Sequence, residues 1–180
     1  LKNNILISMP HMQDPFFGKS VVFICEHTKD GAMGLIVNRP FKKKETKALF
    51  TNFYEKNIFK RISTLYFGGP VLIEAGIVLH SSEYKKKETI QISDDFSLTG
   101  YKYIQKDFNT KKCPEFYKLI LGHAGWTRGQ LEGEIEHGDW FLQPTTKDFI
   151  FNTPDEIMWN HATKEIGIQT AQITGAGGIA

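Results

Sequence analysis

The apolar and polar positions of this chain are organised around residues 9–40, MPHMQDPFFGKSVVFICEHTKDGAMGLIVNRP. Two apolar runs, residues 20–25 and 32–37, flank a polar turn at residues 29–31. Both are too short for ordinary helices and too apolar for loops, so the pattern predicts two adjacent buried strands. A strand is also expected over residues 5–9, stopped by Pro10, which has no N–H to donate to a ladder. Asp14-Pro15 marks a turn in the intervening loop, with Phe16 and Phe17 as its anchors to the core.

Farther along, Leu49, Phe50 and Phe53 recur near helical spacing and predict a surface helix over residues 45–54. Leu65-Tyr66-Phe67 leads into Gly68-Gly69-Pro70, a tight turn or close backbone approach. Residues 77–79 read as a buried strand, 81–88 as a charged loop and 89–92 as an alternating strand. Residues 96–99 form a short strand leading into a helix over 101–108. Residues 116–121 read as a central strand that the chain leaves sharply at 123–126. Thr127 and Gln130 have capping-box spacing, ahead of a helix weakened by Gly129 and Gly133. Residues 140–143 give another strand. Thr153-Pro154-Asp155-Glu156 opens an amphipathic helix carrying Ile157, Trp159, Ala162 and Ile166, which Gly167 ends.

Strands mixed with helices, without a regular βαβ series, predict an α+β fold. We expect a single compact domain with a mixed, strongly bent or partly barrel-like β-sheet flanked by helices. The domain is expected to span residues 1–170, with a flexible Gly-rich tail over 171–180.

Composition narrows the function classes. The chain has 180 residues, 41% of them hydrophobic and 23% charged, with a net charge of +2, as expected of a globular domain with an ordinary core. Lysines cluster at residues 42–44, 85–87 and 111–112 and read as solvated faces. They lack the interleaved Arg and aromatic residues of a single-strand-binding surface, so no clear nucleic-acid module is expected. Two distant cysteines, Cys25 and Cys113, fit a reducing compartment. The opening residues are not expected to be a signal peptide, and no apolar stretch is long enough to predict a membrane span. Cytoplasmic residence is the expectation.

Two stretches carry candidate chemistry. Glu26-His27 ends the first core strand, where hydrogen bonding that fixes the turn is the expected role of His27. The alternative is that His27 joins Asn38 or Arg39 at the mouth of a pocket. In the second stretch, GHAGWTRGQLE, a Gly-rich turn enters a helix N-terminus, where Trp126, Thr127, Arg128 and Gln130 could line an anion or ligand site. The plainer reading makes these residues a tight turn, a core aromatic and a cap. The stretch lacks the ending of a phosphate loop. The six histidines have no metal-binding spacing, and Ser20 and Ser81 have no nucleophile elbow. No cofactor is expected.

The long block at residues 9–40, GGPV at 68–71, VLH at 78–80 and GHAGWTRGQLEGEI at 122–135 closely resemble the signatures of the AlgH/YqgE family of bacterial proteins. The resemblance runs over nearly the whole chain. It implies a compact α/β arrangement with a partly barrel-like sheet and a cytosolic setting. Thr127-Arg128 stands where the family has small residues, and His123 where it has Tyr. The reading is a non-enzymatic module that binds a small molecule or a protein, with an indirect regulatory role. One alternative is a small hydrolase-like enzyme using His27 with Glu26, Asp14 or Glu132. The other is a weak direct DNA-binding regulator. The sequence leaves homo-oligomerisation open.

Overall fold

The structure, a computed structural model, describes residues 1–53 and 62–167. The end of the first expected helix at Tyr54 and the expected tail over 171–180 lie outside them. Along the chain run β1 (Asn4–Ser8), β2 (Val21–Thr28), β3 (Gly31–Ile36), α1 (Lys43–Phe53), β4 (Leu65–Phe67), β5 (Val71–Ser81), β6 (Ile90–Gln91) and β7 (Phe96–Gly100). They are followed by α2 (Tyr101–Ile104), β8 (Tyr117–Thr127), α3 (Gln130–His137), β9 (Trp140–Pro144), α4 (Lys147–Asn152) and α5 (Asp155–Glu165). The strands make one strongly curled, half-barrel-like sheet ordered β6-β7-β5-β8-β3-β2-β1-β9. Its described ladders are antiparallel except for β4, which adds to β8 in parallel.

The β2–β3 hairpin forms as its pattern requires, joined at residues 29–31 and registered by Val22 opposite Ile36. Its runs are apolar throughout because both faces are covered. Val21, Phe23 and Leu35 point into a core closed by Met158, Trp159 and Ala162 of α5. Val22, Ile24 and Ile36 point to the other side, against Trp126, Leu131 and Trp140. A sheet buried on both faces loses the alternation of a half-exposed strand.

β8 is the spine of the sheet. Its first half pairs with β4 and β5 and its second half with β3. The strand expected to end at Leu121 therefore runs on to Thr127, and what looked like a sharp exit is a bend inside it. At the bend Gly122 adopts φ +74°, and a Cβ there would lie 2.3 Å from the Gly69 carbonyl oxygen. Gly69, at φ +145°, is equally closed in: its Cβ would meet the His123 carbonyl carbon at 2.2 Å. Two backbones thus cross at contact distance, which only glycine permits.

The helices depart from expectation in three places. The helix expected over 101–108 stops at Ile104, and a separate 3-10 turn follows at Asp107–Asn109. α4 was not anticipated: Thr146 caps it, its hydroxyl accepting from the Phe149 N–H at 3.1 Å. Thr153 closes α4 instead of capping the next helix, and α5 starts at Asp155 behind Pro154.

α5 is fastened to the sheet by polar contacts as well as by its apolar face. The Lys118 ammonium, 5% exposed, donates to the Val37 carbonyl at 2.9 Å and to Asp155 Oδ1 at 2.8 Å. It also sits 4.2 Å from the centre of the Tyr66 ring, and the Tyr66 hydroxyl donates to Asp155 Oδ2 at 2.9 Å. The Trp159 indole N–H donates to the Ser8 carbonyl at 2.8 Å. His80 is sealed in the sheet between the Ser81 carbonyl and the Thr99 hydroxyl, each at 2.9 Å, and burial pushes its imidazole pKa down.

Candidate functional site

β8, α3 and β9 follow one another with short turns, so residues 126–140 fold back on themselves. α3 starts behind Gly129 and ends at Gly138, both in the left-handed conformation. Leu131, Glu134 and Ile135 fall at helical spacings on one face. Leu131 and Ile135 pack on the core, which carries Glu134 inward between the two tryptophans that bracket the helix.

The Glu134 carboxylate is the hub of the site. Its Oε2 accepts the indole N–H of Trp126 and that of Trp140, each at 2.8 Å. Its Oε1 accepts from the Gln130 amide at 2.9 Å. The two indoles meet edge to face, with centroids 6.2 Å apart and planes at 78°. Phe17 adds a second edge-to-face contact, 5.7 Å from Trp140. The result is an aromatic wall held by one carboxylate.

This wall faces an open cleft of about 380 Å³. The loop before β2 adds Met12, Asp14 and Phe17 to its lining. Asp14 Oδ1 accepts the Phe16 and Phe17 backbone N–H groups at 2.8 and 3.0 Å. Asp139 closes one end, held by His11 at 3.2 Å and His137 at 3.1 Å. The His11 hydrogen bond, joined by that of His137, outweighs a smaller upward push from burial and holds the Asp139 carboxyl below its ordinary value. The cleft therefore combines aromatic surface with three carboxylates, a lining suited to a positively charged group.

The expected site residues divide among several places. Trp126 and Gln130 line the cleft. Thr127 stands beside it: its N–H and its hydroxyl both donate to Gln130 Oε1, at 3.0 and 3.2 Å. Only the Gln130 half of the expected capping box is therefore present. The Thr127 hydroxyl donates instead of accepting, and Gly129 occupies the cap position. Arg128 is exposed at the turn.

His27 does not meet Asn38 or Arg39. It lies at the far end of β2, about 20 Å along the strand from Val21 at a rise of about 3.3 Å per residue. Its Nε2 stands 2.5 Å from Glu132 Oε1, so it holds the side of α3 away from the tryptophans. That contact, the largest cause, depresses the Glu132 carboxyl pKa. Glu26 is exposed, just past a bulge between Ile24 and Glu26. Asn38 accepts from the Val21 N–H at 2.9 Å and donates to the Lys19 carbonyl at 3.1 Å. Arg39 donates to the carbonyls of Pro15, at 2.8 Å, and Gly18. Asn38 and Arg39 thus fasten the loop that carries Asp14 and Phe17, shaping the cleft from behind.

Sequence reasoning did not single out Glu134, Asp139 or Asp14 as members of one cleft. The available signal was a glutamate on the apolar face of α3, three residues after Leu131. A charge on a buried stripe requires partners. Among the described residues no group of His, Cys, Asp and Glu side chains is placed to hold a metal ion.

The profile of the family described as AlgH-like (DUF179) matches residues 5–171. A UPF0301 protein of Marinomonas sp. (strain MWYL1) is 37% identical over 175 residues, covering 96% of this chain and 93% of the relative. A UPF0301 protein of Vibrio cholerae is 35% identical, covering 100% and 99% of the two chains. The solution structure of the AlgH protein from Pseudomonas aeruginosa superposes with a TM-score of 0.75 at 30% identity, covering 99% of this chain and 95% of that one. The crystal structure of protein DIP2367 from Corynebacterium diphtheriae shares the fold, with a TM-score of 0.71 at 20% identity over 91% of this chain and 86% of its own.

Proposed function

This chain belongs to the AlgH-like family, and from that premise we propose that it is a binding module whose recognition site is the cleft walled by Trp126 and Trp140. The observation that carries this reading is the pair of indole N–H groups bonded to Glu134 Oε2 at the edge of an open cleft. Holding two large rings in fixed orientation before a ligand arrives lowers the ordering cost of binding. The ligand is a compact organic cation, an ammonium or guanidinium on a flat or apolar body, drawn by Asp14, Glu134 and Asp139. A small molecule and a basic side chain of a partner protein share that chemistry.

We place this activity in the cytoplasm: two cysteines far apart in sequence, at 25 and 113, are the sparse usage that fits a reducing compartment. No helix among the described residues is long and apolar enough to cross a membrane.

Benzylguanidinium and its neutral counterpart benzyl alcohol, titrated calorimetrically, test the reading. Asp14→Asn/Glu134→Gln keeps the amide oxygens that receive the loop and indole N–H groups but removes two charges. We expect the cation to bind and the neutral probe not to. The double variant should weaken the cation at least tenfold, or about 1.4 kcal/mol. Equal binding of both probes, or an unaffected variant, would end the cation reading.

The 2.5 Å contact between His27 and Glu132 favours one second reading, a general base oriented by a carboxylate. Conversion of a bound amine or ester into product, lost in His27→Gln, would move the weight to it.

A further inference from the structure

The lysine clusters at 85–87 and 111–112, separate in sequence, converge in the fold. Lys85 and Lys86 follow β5, Lys111 and Lys112 precede β8, and all four line a cleft of about 590 Å³. Its floor is firm. Tyr84 is buried, its ring edge-on to His80, and its hydroxyl donates to Asp107 Oδ2 at 2.8 Å.

The two carboxylates that line the same cleft are already engaged. Glu83 Oε1 accepts from the Ser81 hydroxyl and the Glu115 N–H, both at 2.7 Å. Asp107 pairs with Lys86 at 3.0 Å, and Lys86 also donates to the Tyr103 carbonyl at 2.9 Å. Lys86 is therefore fixed at the rim. Lys85, Lys111 and Lys112 are exposed, and no ion pair among the described residues takes up any of them, although Lys112 adds a longer-range attraction to Asp107. Three exposed lysines from two loops thus line one concavity.

The shape selects among anions. A volume of this size suits a single small molecule. The third lysine cluster does not extend the site: Lys43 lines a different depression with Thr46 and Lys47. The positive surface is local, not the continuous track that a long strand of nucleic acid requires.

We propose that this cleft binds a compact polyphosphate, a small molecule carrying two or more linked phosphate groups, whose oxygens are taken by Lys85, Lys111 and Lys112 beside the fixed Lys86. The site is independent of the tryptophan cleft, and its occupant has the opposite charge.

Inorganic tripolyphosphate is the probe, titrated into the full chain and followed by backbone amide resonances at low and at 150 mM salt. The shifts should saturate and centre on residues 83–87 and 111–113, leaving the Trp126 and Trp140 indoles in place. Lys85→Gln/Lys111→Gln/Lys112→Gln replaces exposed side chains only. It should weaken binding at least tenfold and flatten its salt dependence. Sulfate at equal ionic strength should give no saturable shift. Identical behaviour of sulfate and tripolyphosphate, shifts elsewhere, or an unaffected triple variant would overturn the proposal. So would a twelve-nucleotide single strand that binds more tightly than tripolyphosphate, which would make the cleft a nucleic-acid surface.

Discussion

Gly122→Ala should leave little folded protein at 37 °C. The substitution asks an L-residue to hold φ +74° with its Cβ 2.3 Å from the Gly69 carbonyl oxygen, a rigid backbone atom. Strain at positive φ costs roughly 1–3 kcal/mol, and relieving the clash requires the crossing of β8 with residues 68–69 to open. We expect a total of about 4–6 kcal/mol, in the range that marks a broken structural device. For a chain of this length that lowers Tm by roughly 8–24 °C in differential scanning calorimetry. Gly133→Ala is the matched control: it lies inside α3, with nothing within 4 Å of its Cβ position. It should gain about 0.5–1 kcal/mol. A Gly122→Ala protein with native Tm would show that the crossing is not needed.

Lys118→Ala should cost about 3–5 kcal/mol. Removing one partner of a buried ion pair leaves the other unpaired, and the penalty comes mainly from the remaining group. Here Asp155 would lose its ammonium partner, the Val37 carbonyl a donor and the Tyr66 ring its cation. Burial pushes the Lys118 pKa down while Asp155 draws it back up, so the pair is coupled to the packing of α5. Lys118→Met/Asp155→Asn removes both charges and restores the volume. It should recover more than half of the loss in urea denaturation. A double variant as unstable as Lys118→Ala would assign the loss to packing alone.

Much of the fold could be read from residues. The β2–β3 pair was legible because burial on both faces makes each strand a continuous apolar run, and the Gly31 turn fixes its register. β8 was legible only to Leu121. Its glycines at 122 and 125 look like a turn on paper, whereas in space Gly122 is the position where another segment of chain lies against the strand and Gly125 sits in the ladder opposite Met33. α4 is six residues long, too short for a periodic stripe to show.

The site was half legible. Trp126 and Gln130 were marked by their turn. Glu134 was not, because its meaning comes from Trp126, eight residues before it, and Trp140, six after it, being folded onto one oxygen. His27 and Asn38 looked like neighbours because both end the same hairpin strands, but the strands' length separates them. Convergence of the lysines at 85–86 and 111–112 likewise depends on topology, which no local pattern encodes.

The most direct test of the central reading is the response of the three indole N–H resonances to benzylguanidinium. Trp126 and Trp140 share the Glu134 oxygen, while Trp159 is bonded to the Ser8 carbonyl in the other core. Saturable movement of the first two signals together, with Trp159 fixed, is the predicted result. Three stationary signals, or movement of Trp159 alone, would contradict it.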